Sequence, residues 1–240
     1  MDGKARLSAG AQRRGKGRPS RQGAVVGRDA LLAQTCKLLA RHPAREVTPA
    51  AVARAMGVDR TLIRYYFSSR EALLLAAIER LTTTQFLTYL DQELAGAKSS
   101  PEGRLRARIA ALLDLEIRFP FFSRLITDEL AGMKSKAARE LLARLTARGL
   151  DGYRAVLTAG VKAGTFRQTD PALVFLTVVG LCQYFVAGAA VIKIALGDAR
   201  DGAALAARYR EFVCDLVLRA LRSDRAARTA APESSGPMAR

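Results

Sequence analysis

The sequence contains no tryptophan, a single histidine and three cysteines. Cys36, Cys182 and Cys214 lie within apolar helical patterns, so we expect buried thiols in a reducing compartment, with a redox switch as the alternative. His42 has no cysteine or carboxylate cluster near it in sequence, and we therefore expect no metal site. We find no Gly-rich phosphate loop after a strand and no supported triad or acid pair. The chain is thus not expected to be an enzyme or to carry a cofactor.

Acidic residues are also scarce relative to basic ones. The 39 lysines and arginines exceed the 22 aspartates and glutamates, which gives a formal net charge of +17 at pH 7. An excess of this size favours a polyanionic partner, with nucleic acid as the first candidate and an anionic membrane surface as the second. The polar N-terminus lacks the apolar segment of a secretory signal, so we expect a cytoplasmic protein.

Segments that alternate with the period of two typical of strands are almost absent. Alanine, leucine and arginine dominate instead, and 50% of the residues are apolar, which together predict an all-α fold with a sizeable core. Composition marks residues 1–27 as a disordered basic arm and residues 223–240 as a flexible polar tail.

The segment Thr48–Glu71, with the sequence TPAAVARAMGVDRTLIRYYFSSRE, has the pattern of a helix-turn-helix. Thr48 can cap the first helix, Gly57 supplies the sharp turn, and Asp59 can cap the second helix. The exposed positions of that second helix carry side chains that can donate hydrogen bonds to base edges or phosphates: Arg60, Thr61, Arg64 and Tyr65. The spacing alone fits a helical hairpin that binds nothing equally well.

The basic arm before this segment contains Gly17-Arg18-Pro19. An extended arginine such as Arg18 can enter a narrow, A·T-rich minor groove. The alternative is a basic tail that only increases solvation.

The run GVDRTLIRYYFSSREALL resembles the DNA-binding signature of the TetR/AcrR family of bacterial transcriptional regulators. The family pattern is Gly-Val-Ser-x-x-x-Leu/Ile-Tyr-x-Tyr/His-Phe-x-Ser-Lys-Glu-x-Leu. The matching positions are Gly57, Val58, Ile63, Tyr66, Phe67, Ser69, Glu71 and Leu73, with Arg70 in place of the usual lysine. The chain departs from the residues usual in the family at Asp59 (usually Ser), Leu62 (often Thr) and Arg64 (usually Tyr). These departures preserve the fold but prevent the transfer of any known operator sequence.

The resemblance implies an N-terminal three-helix DNA-binding domain (28–75) and a C-terminal helical domain for ligand binding and dimerisation (76–222). It further implies a regulator, by family habit a repressor, that binds double-stranded operator DNA with inverted-repeat symmetry and is released by a small-molecule inducer. Base contacts are expected from Arg60, Thr61, Arg64 and Tyr65, and phosphate contacts from Thr48, Tyr65, Tyr66 and Arg70.

We expect the inducer to be largely apolar, with charges such as Glu116, Asp128 and Glu129 setting its polarity. The candidates for the wall of its pocket are the aromatic and apolar residues Phe86, Tyr89, Leu112, Phe119, Phe122, Tyr153, Phe175 and Tyr184. Each of them can equally be an ordinary core residue.

Residues 172–192 form an almost uninterrupted apolar run that has the length of a membrane span. A membrane-anchored basic protein with a single span there is therefore the alternative function. Gln183 and Tyr184 in mid-run argue against it, because a lipid-facing amide would lack hydrogen-bond partners. We therefore predict no membrane partner and a homodimer formed by helices at about 171–196 and 202–222.

Overall fold

The regular elements of the described chain are helical, as predicted, apart from one isolated antiparallel bridge between Phe166 and Arg222. The computed structural model describes residues 26–95, 100–196 and 202–223, without the side chains of residues 85–87, 90, 91 and 93. Residues 1–25 of the predicted arm, which include Arg18, lie outside the described residues. So do residues 224–240 of the predicted tail.

The first part of the chain folds into four helices that follow the predicted pattern closely. They are α1 (Arg28–Leu39), α2 (Pro49–Met56), α3 (Arg60–Tyr66) and α4 (Arg70–Leu81), with a 3-10 turn at Ala44–Glu46. The predicted helix caps are confirmed, because Thr48, Asp59 and Ser69 each accept a hydrogen bond from a backbone N–H in the first turn that follows. Helix α4 continues through a π-helical turn at Thr82–Phe86.

The second part of the chain contains seven further helices within the described residues. They are α5 (Leu87–Ala95), α6 (Pro101–Arg118), α7 (Pro120–Arg124), α8 (Lys136–Lys162), α9 (Pro171–Ala187), α10 (Ala189–Leu196) and α11 (Gly202–Leu221). A π-helical segment, Leu125–Leu130, follows α7. Helix α8 is continuous through Gly149 and Gly152. Those two glycines give room to the ring of Phe175 and the guanidinium of Arg108.

The prediction of one helix over about 171–196 is wrong, because the chain bends by 81° between α9 and α10. The bend follows Gly188, whose N–H donates to the carbonyl of Tyr184 at 2.8 Å. A Cβ atom at position 188 would lie 2.8 Å from that same oxygen, so the close approach requires glycine. No single described helix is long and apolar enough to cross a membrane. The bent pair α9 and α10 meets those criteria only when the two are counted together.

Two buried apolar clusters hold the helices together. The first joins α1–α4 to the second part of the chain, since Leu31, Ile63 and Leu74 share it with Phe122 and Leu125. The second cluster lies among α6, α8, α9 and α11 and contains Leu105, Ile109, Leu113, Tyr153 and Val178, among others. The helix-turn-helix therefore shares a continuous apolar core with the helical domain behind it.

Candidate DNA-binding interface and associated cavities

The turn between α2 and α3 is fixed by local backbone geometry. Gly57 adopts φ +63°, in the left-handed region that other residues reach only at a cost, and it ends α2. The next N–H, of Val58, donates to the carbonyl of Ala53 at 3.0 Å, which closes the turn. At the other end of α2, Thr48 Oγ1 accepts from the N–H of Ala51 at 3.1 Å. The hydroxyl of Thr48 is thus engaged in capping in this structure.

Helix α3 is anchored by one apolar face. Ile63 is fully buried and Phe67, just beyond the helix, is 5% exposed. Leu62 and Tyr66 are half-buried and pack against the same core. This explains why Leu62 can replace the more polar residue of the family pattern, because its side chain covers apolar surface.

The opposite face of α3 carries the predicted base-reading residues. Arg60, Thr61, Arg64 and Tyr65 are all exposed, and Tyr65 is 79% exposed. The ring of Tyr65 meets the ring of Tyr66 edge to face, with centroids 5.0 Å apart. This face therefore presents two guanidinium groups, a hydroxyl and a phenol to solvent, and a guanidinium can donate two hydrogen bonds to guanine.

Arg70 lies at the start of α4 and connects the two parts of the molecule. Its Nη2 donates to the carbonyl of Ala44 at 2.6 Å and lies 3.5 Å from Glu129 Oε2 in the π-helical segment. The guanidinium thus has protein partners on both sides. Its expected phosphate contact stays a prediction.

The predicted ligand-binding residues are spread over several environments. Tyr153 and Phe175 contact each other in the second core, with ring centroids 5.7 Å apart, and Leu112 packs against that core. Phe122 belongs to the first core, and Tyr184 is 57% exposed on α9. The structure does not bring these side chains together in one cavity.

The remaining candidates lie near the end of α6. The guanidinium of Arg118 lies over the ring of Tyr89 at 5.6 Å and over the ring of Phe119 at 5.8 Å. Phe119 lines a cavity of about 490 Å³ between α1, the end of α4 and the junction of α6 with α7, and Cys36 lines the same cavity. The side chain of Phe86 lies outside the described residues.

A larger cavity, of about 720 Å³, lies between the two parts of the chain. Residues 39–45, at the end of α1 and in the 3-10 turn, form one wall, and α6, α7 and α9 form the other. The side chains on the second wall include Glu116, Ser123 and Gln183. We call this cavity the interdomain cleft.

A chain of hydrogen bonds lines this second wall. Gln183 Nε2 lies 3.4 Å from Ser123 Oγ, and the Ser123 hydroxyl donates to Glu116 Oε2. Glu116 is only 5% exposed. Burial raises the pKa of its carboxyl, and the Ser123 hydroxyl lowers it by a smaller amount. The sequence pointed to Glu116 as an interior charge but gave no sign of its partners.

An apolar stripe covers the outer faces of α9 and α11. Leu173 and Leu176 are each 61% exposed on α9, Tyr184 is exposed further along the same helix, and Phe212 and Leu216 are exposed on α11. Gly180 lies on the same face of α9, and no atom comes within 4 Å of the position its Cβ would take. A concentration of large exposed apolar side chains is typical of a protein interface.

A capped helix-turn-helix with a basic outer face, packed on a larger all-helical domain, defines a helix-turn-helix transcriptional regulator. Residues 31–77 match the family model described as bacterial regulatory proteins, tetR family. Residues 98–226, more than half of the chain, match the model of the tetracyclin repressor-like C-terminal domain. The chain belongs to the TetR family, and it is a DNA-binding transcription regulator.

Solved structures of similar fold include the ketosteroid transcriptional regulator KstR2 of Mycobacterium tuberculosis, with TM-score 0.59, 17% identity and coverage of 82% of this chain and 95% of that one. AibR, in complex with isovaleryl coenzyme A and operator DNA, has TM-score 0.61, 15% identity and coverages of 78% and 96%. FadR from Bacillus subtilis, in complex with stearoyl-CoA, has TM-score 0.58, 17% identity and coverages of 77% and 96%. Among curated protein sequences, none matches the chain significantly.

Proposed function

We propose that this protein is a cytoplasmic, ligand-responsive repressor that binds an inverted-repeat operator as a homodimer and leaves it when a small molecule binds. The observation that carries the proposal is the outer face of α3, where Arg60, Thr61, Arg64 and Tyr65 are exposed together on a helix whose other face is locked into the core. A helix presented in this way fits the major groove.

The division of labour among these residues follows from their chemistry. Arg60, Thr61 and Arg64 are assigned to base edges, with Tyr65 at the border between bases and backbone. Thr48, Tyr66 and Arg70 are assigned to phosphates, and Arg18 of the arm to the minor groove. Phosphate contacts set affinity and orientation, whereas base contacts set sequence preference.

The apolar stripe on α9 and α11 supports the homodimer. Two copies related by a twofold axis would cover Leu173, Leu176 and Phe212 on each other and place two α3 helices on one face. The paired helices would have to enter successive major grooves, roughly 34 Å apart or somewhat more, which requires a symmetric operator.

Arg70 supports a link between ligand and DNA. It bonds Ala44 beside the helix-turn-helix and pairs with Glu129, and both of those residues line the interdomain cleft. A ligand that binds the two arrangements of this contact with different affinity would shift the protein between DNA-competent and incompetent states. Because AibR and FadR are seen with acyl-coenzyme A molecules, a ligand with a large apolar part is the class to examine first.

The test is binding of the full-length chain to the intergenic DNA beside its own gene, followed by footprinting and fluorescence anisotropy. We expect a protected inverted repeat, salt-sensitive affinity and release by a small molecule, with isovaleryl-CoA and stearoyl-CoA as the first probes. Equal affinity for operator and scrambled DNA would overturn the proposal.

Arg64→Ala tests the reading face directly. It should weaken operator binding by about 1–3 kcal/mol and relax the preference at one base pair in each half-site. Arg139→Ala is the matched control, because it also removes one exposed arginine but lies on α8, where its Nη1 donates to the carbonyl of Lys134. An Arg64→Ala protein with an unchanged preference at every operator position would show that this arginine reads no base.

A further inference from the structure

Glu116 is a buried acid without a basic partner. Its recorded contact is the hydroxyl of Ser123, and within the described residues no lysine, arginine or histidine nitrogen lies within 4 Å of its carboxylate. A buried carboxylate normally pairs with a cation, because transfer from water without compensation is costly. Burial raises the pKa of this carboxyl, consistent with the missing partner.

The carboxylate is not sealed in the core. Glu116 lines the interdomain cleft of about 720 Å³, a volume in the range of small-molecule sites, roughly 300–1,000 Å³. Its polar neighbours Ser123 and Gln183 line the same space. A cationic group of a small molecule in the cleft could therefore contact the Glu116 carboxylate, which pairs with no cationic side chain among the described residues.

The hydrogen-bond chain engages one oxygen of Glu116. Gln183 Nε2 lies 3.4 Å from Ser123 Oγ, and the Ser123 hydroxyl donates to Glu116 Oε2. The other carboxylate oxygen, Oε1, has no hydrogen-bond partner among the described residues and remains available to a donor from the cleft. An ammonium group supplies such donors together with the missing positive charge.

The walls around this acid suit a molecule of mixed character. Apolar side chains such as Leu39, Phe121 and Val186 line the cleft together with three arginines and, besides Glu116 itself, two carboxylates. The arginines at positions 41, 45 and 124 are exposed to solvent, where their repulsion of a cation is screened. An aliphatic chain would pack on the apolar part while its charged end reaches Glu116.

We infer that the interdomain cleft is a binding site for an organic amine, whose ammonium group pairs with Glu116 beside Ser123. The occupant would also touch residues 39–45 of the DNA-binding part, so its effect on operator binding rests on the function proposed above. Binding to the DNA-free protein does not depend on that function.

The test is calorimetric titration of the full-length, DNA-free protein with hexylamine and, separately, with 1-hexanol of the same length. A charge-assisted hydrogen bond is worth about 1.5–3 kcal/mol, so hexylamine should bind roughly 10–100-fold more tightly than hexanol. Glu116→Gln should reduce hexylamine affinity to the level of hexanol. Glu140→Gln is the matched control, because that carboxylate is exposed on α8 and pairs only with Lys136 at 3.8 Å among the described residues.

Equal affinities for hexylamine and hexanol in the wild type would overturn the inference, and this comparison does not require the Glu116→Gln protein to fold. Unchanged hexylamine binding in a folded Glu116→Gln protein would overturn it as well, since the cation would then be held elsewhere. If hexylamine binds as expected but leaves operator affinity unchanged, the site stands and its link to DNA release fails. If no operator binding is found at all, the proposed function fails independently.

Discussion

Truncating Phe212 on the outer face of α11 is the most direct test of the proposed dimer. The ring is 62% exposed in the single chain, and Leu216, one turn further on, is 47% exposed. Neither residue belongs to the apolar core clusters of the protomer described above. Phe212→Ala should therefore leave the fold of one chain intact while it removes contact area from the dimer.

The size of the effect follows from the exposed area. A phenylalanine buries about 200 Å² when fully covered, so an exposure of 62% leaves about 120 Å² for a partner. At about 25 cal/mol per Å² this area is worth about 3 kcal/mol per protomer, and twofold symmetry counts it twice. Area overstates binding energy, because side chains lose freedom and polar groups lose water. We expect a loss of about 2–4 kcal/mol in dimerisation, which is about 30–1,000-fold in Kd.

The assay is sedimentation equilibrium over a range of protein concentrations, with circular dichroism to confirm that the helical content is unchanged. Ile117→Ala serves as the control, because Ile117 is 41% exposed but lies on α6, outside the stripe. An unchanged dimer constant for Phe212→Ala would refute the stripe as the interface. A wild-type chain that stays monomeric at all concentrations would refute the dimer itself.

Three further outcomes follow from the geometry. Gly57→Ala should destabilise the protein by about 1–2 kcal/mol in thermal or urea unfolding, because φ is +63°. Gly202→Ala is the control and should not destabilise it, because Gly202 lies at the start of α11 without a positive φ and has nothing within 4 Å. The three cysteine thiols, whose pKa values burial raises to about 11 or 12, should resist iodoacetamide at pH 8 until the protein unfolds; rapid labelling of the native chain would contradict this. Burial raises the pKa of the Glu116 carboxyl in the folded protein, so the free energy of unfolding should fall as pH rises from the ordinary carboxyl pKa through the raised one. The measurement is the difference in unfolding free energy between the wild type and Glu116→Gln as a function of pH. A difference that does not change with pH would contradict this.

The elements that sequence patterns predicted well are those decided within a few residues. A cap such as Thr48 or Ser69 bonds a backbone N–H three positions away, and the turn at Gly57 depends on one backbone dihedral. Neighbouring residues determine these caps and turns, because the competing backbone conformations differ in local hydrogen bonds and steric contacts. The helix-turn-helix and its exposed face were predictable for this reason.

The site in the cleft could not be predicted in the same way. Glu116 occupies an amphipathic helix, where a charged residue normally faces water. Two contacts distinguish it from an exposed acid. Its carboxylate accepts a hydrogen bond from Ser123, seven residues further on, and Ser123 in turn contacts Gln183, sixty residues beyond that. Arg70 is similar, because its partner Glu129 is distant in sequence and the family resemblance implied only a phosphate contact. Pairings of this kind are set by tertiary packing, which no local pattern specifies.

The apolar run over 172–192 shows how one composition can serve several surroundings. Gly180 and Gly188 are equivalent in the sequence pattern, yet Gly180 stays helical on the open stripe while Gly188 is buried and ends α9. Gln183 lines the interdomain cleft, where its amide contacts Ser123. The amide that argued against a lipid environment thus has a specific polar partner. Because the run must satisfy a core, a stripe and a polar wall, its hydropathy alone does not determine its role.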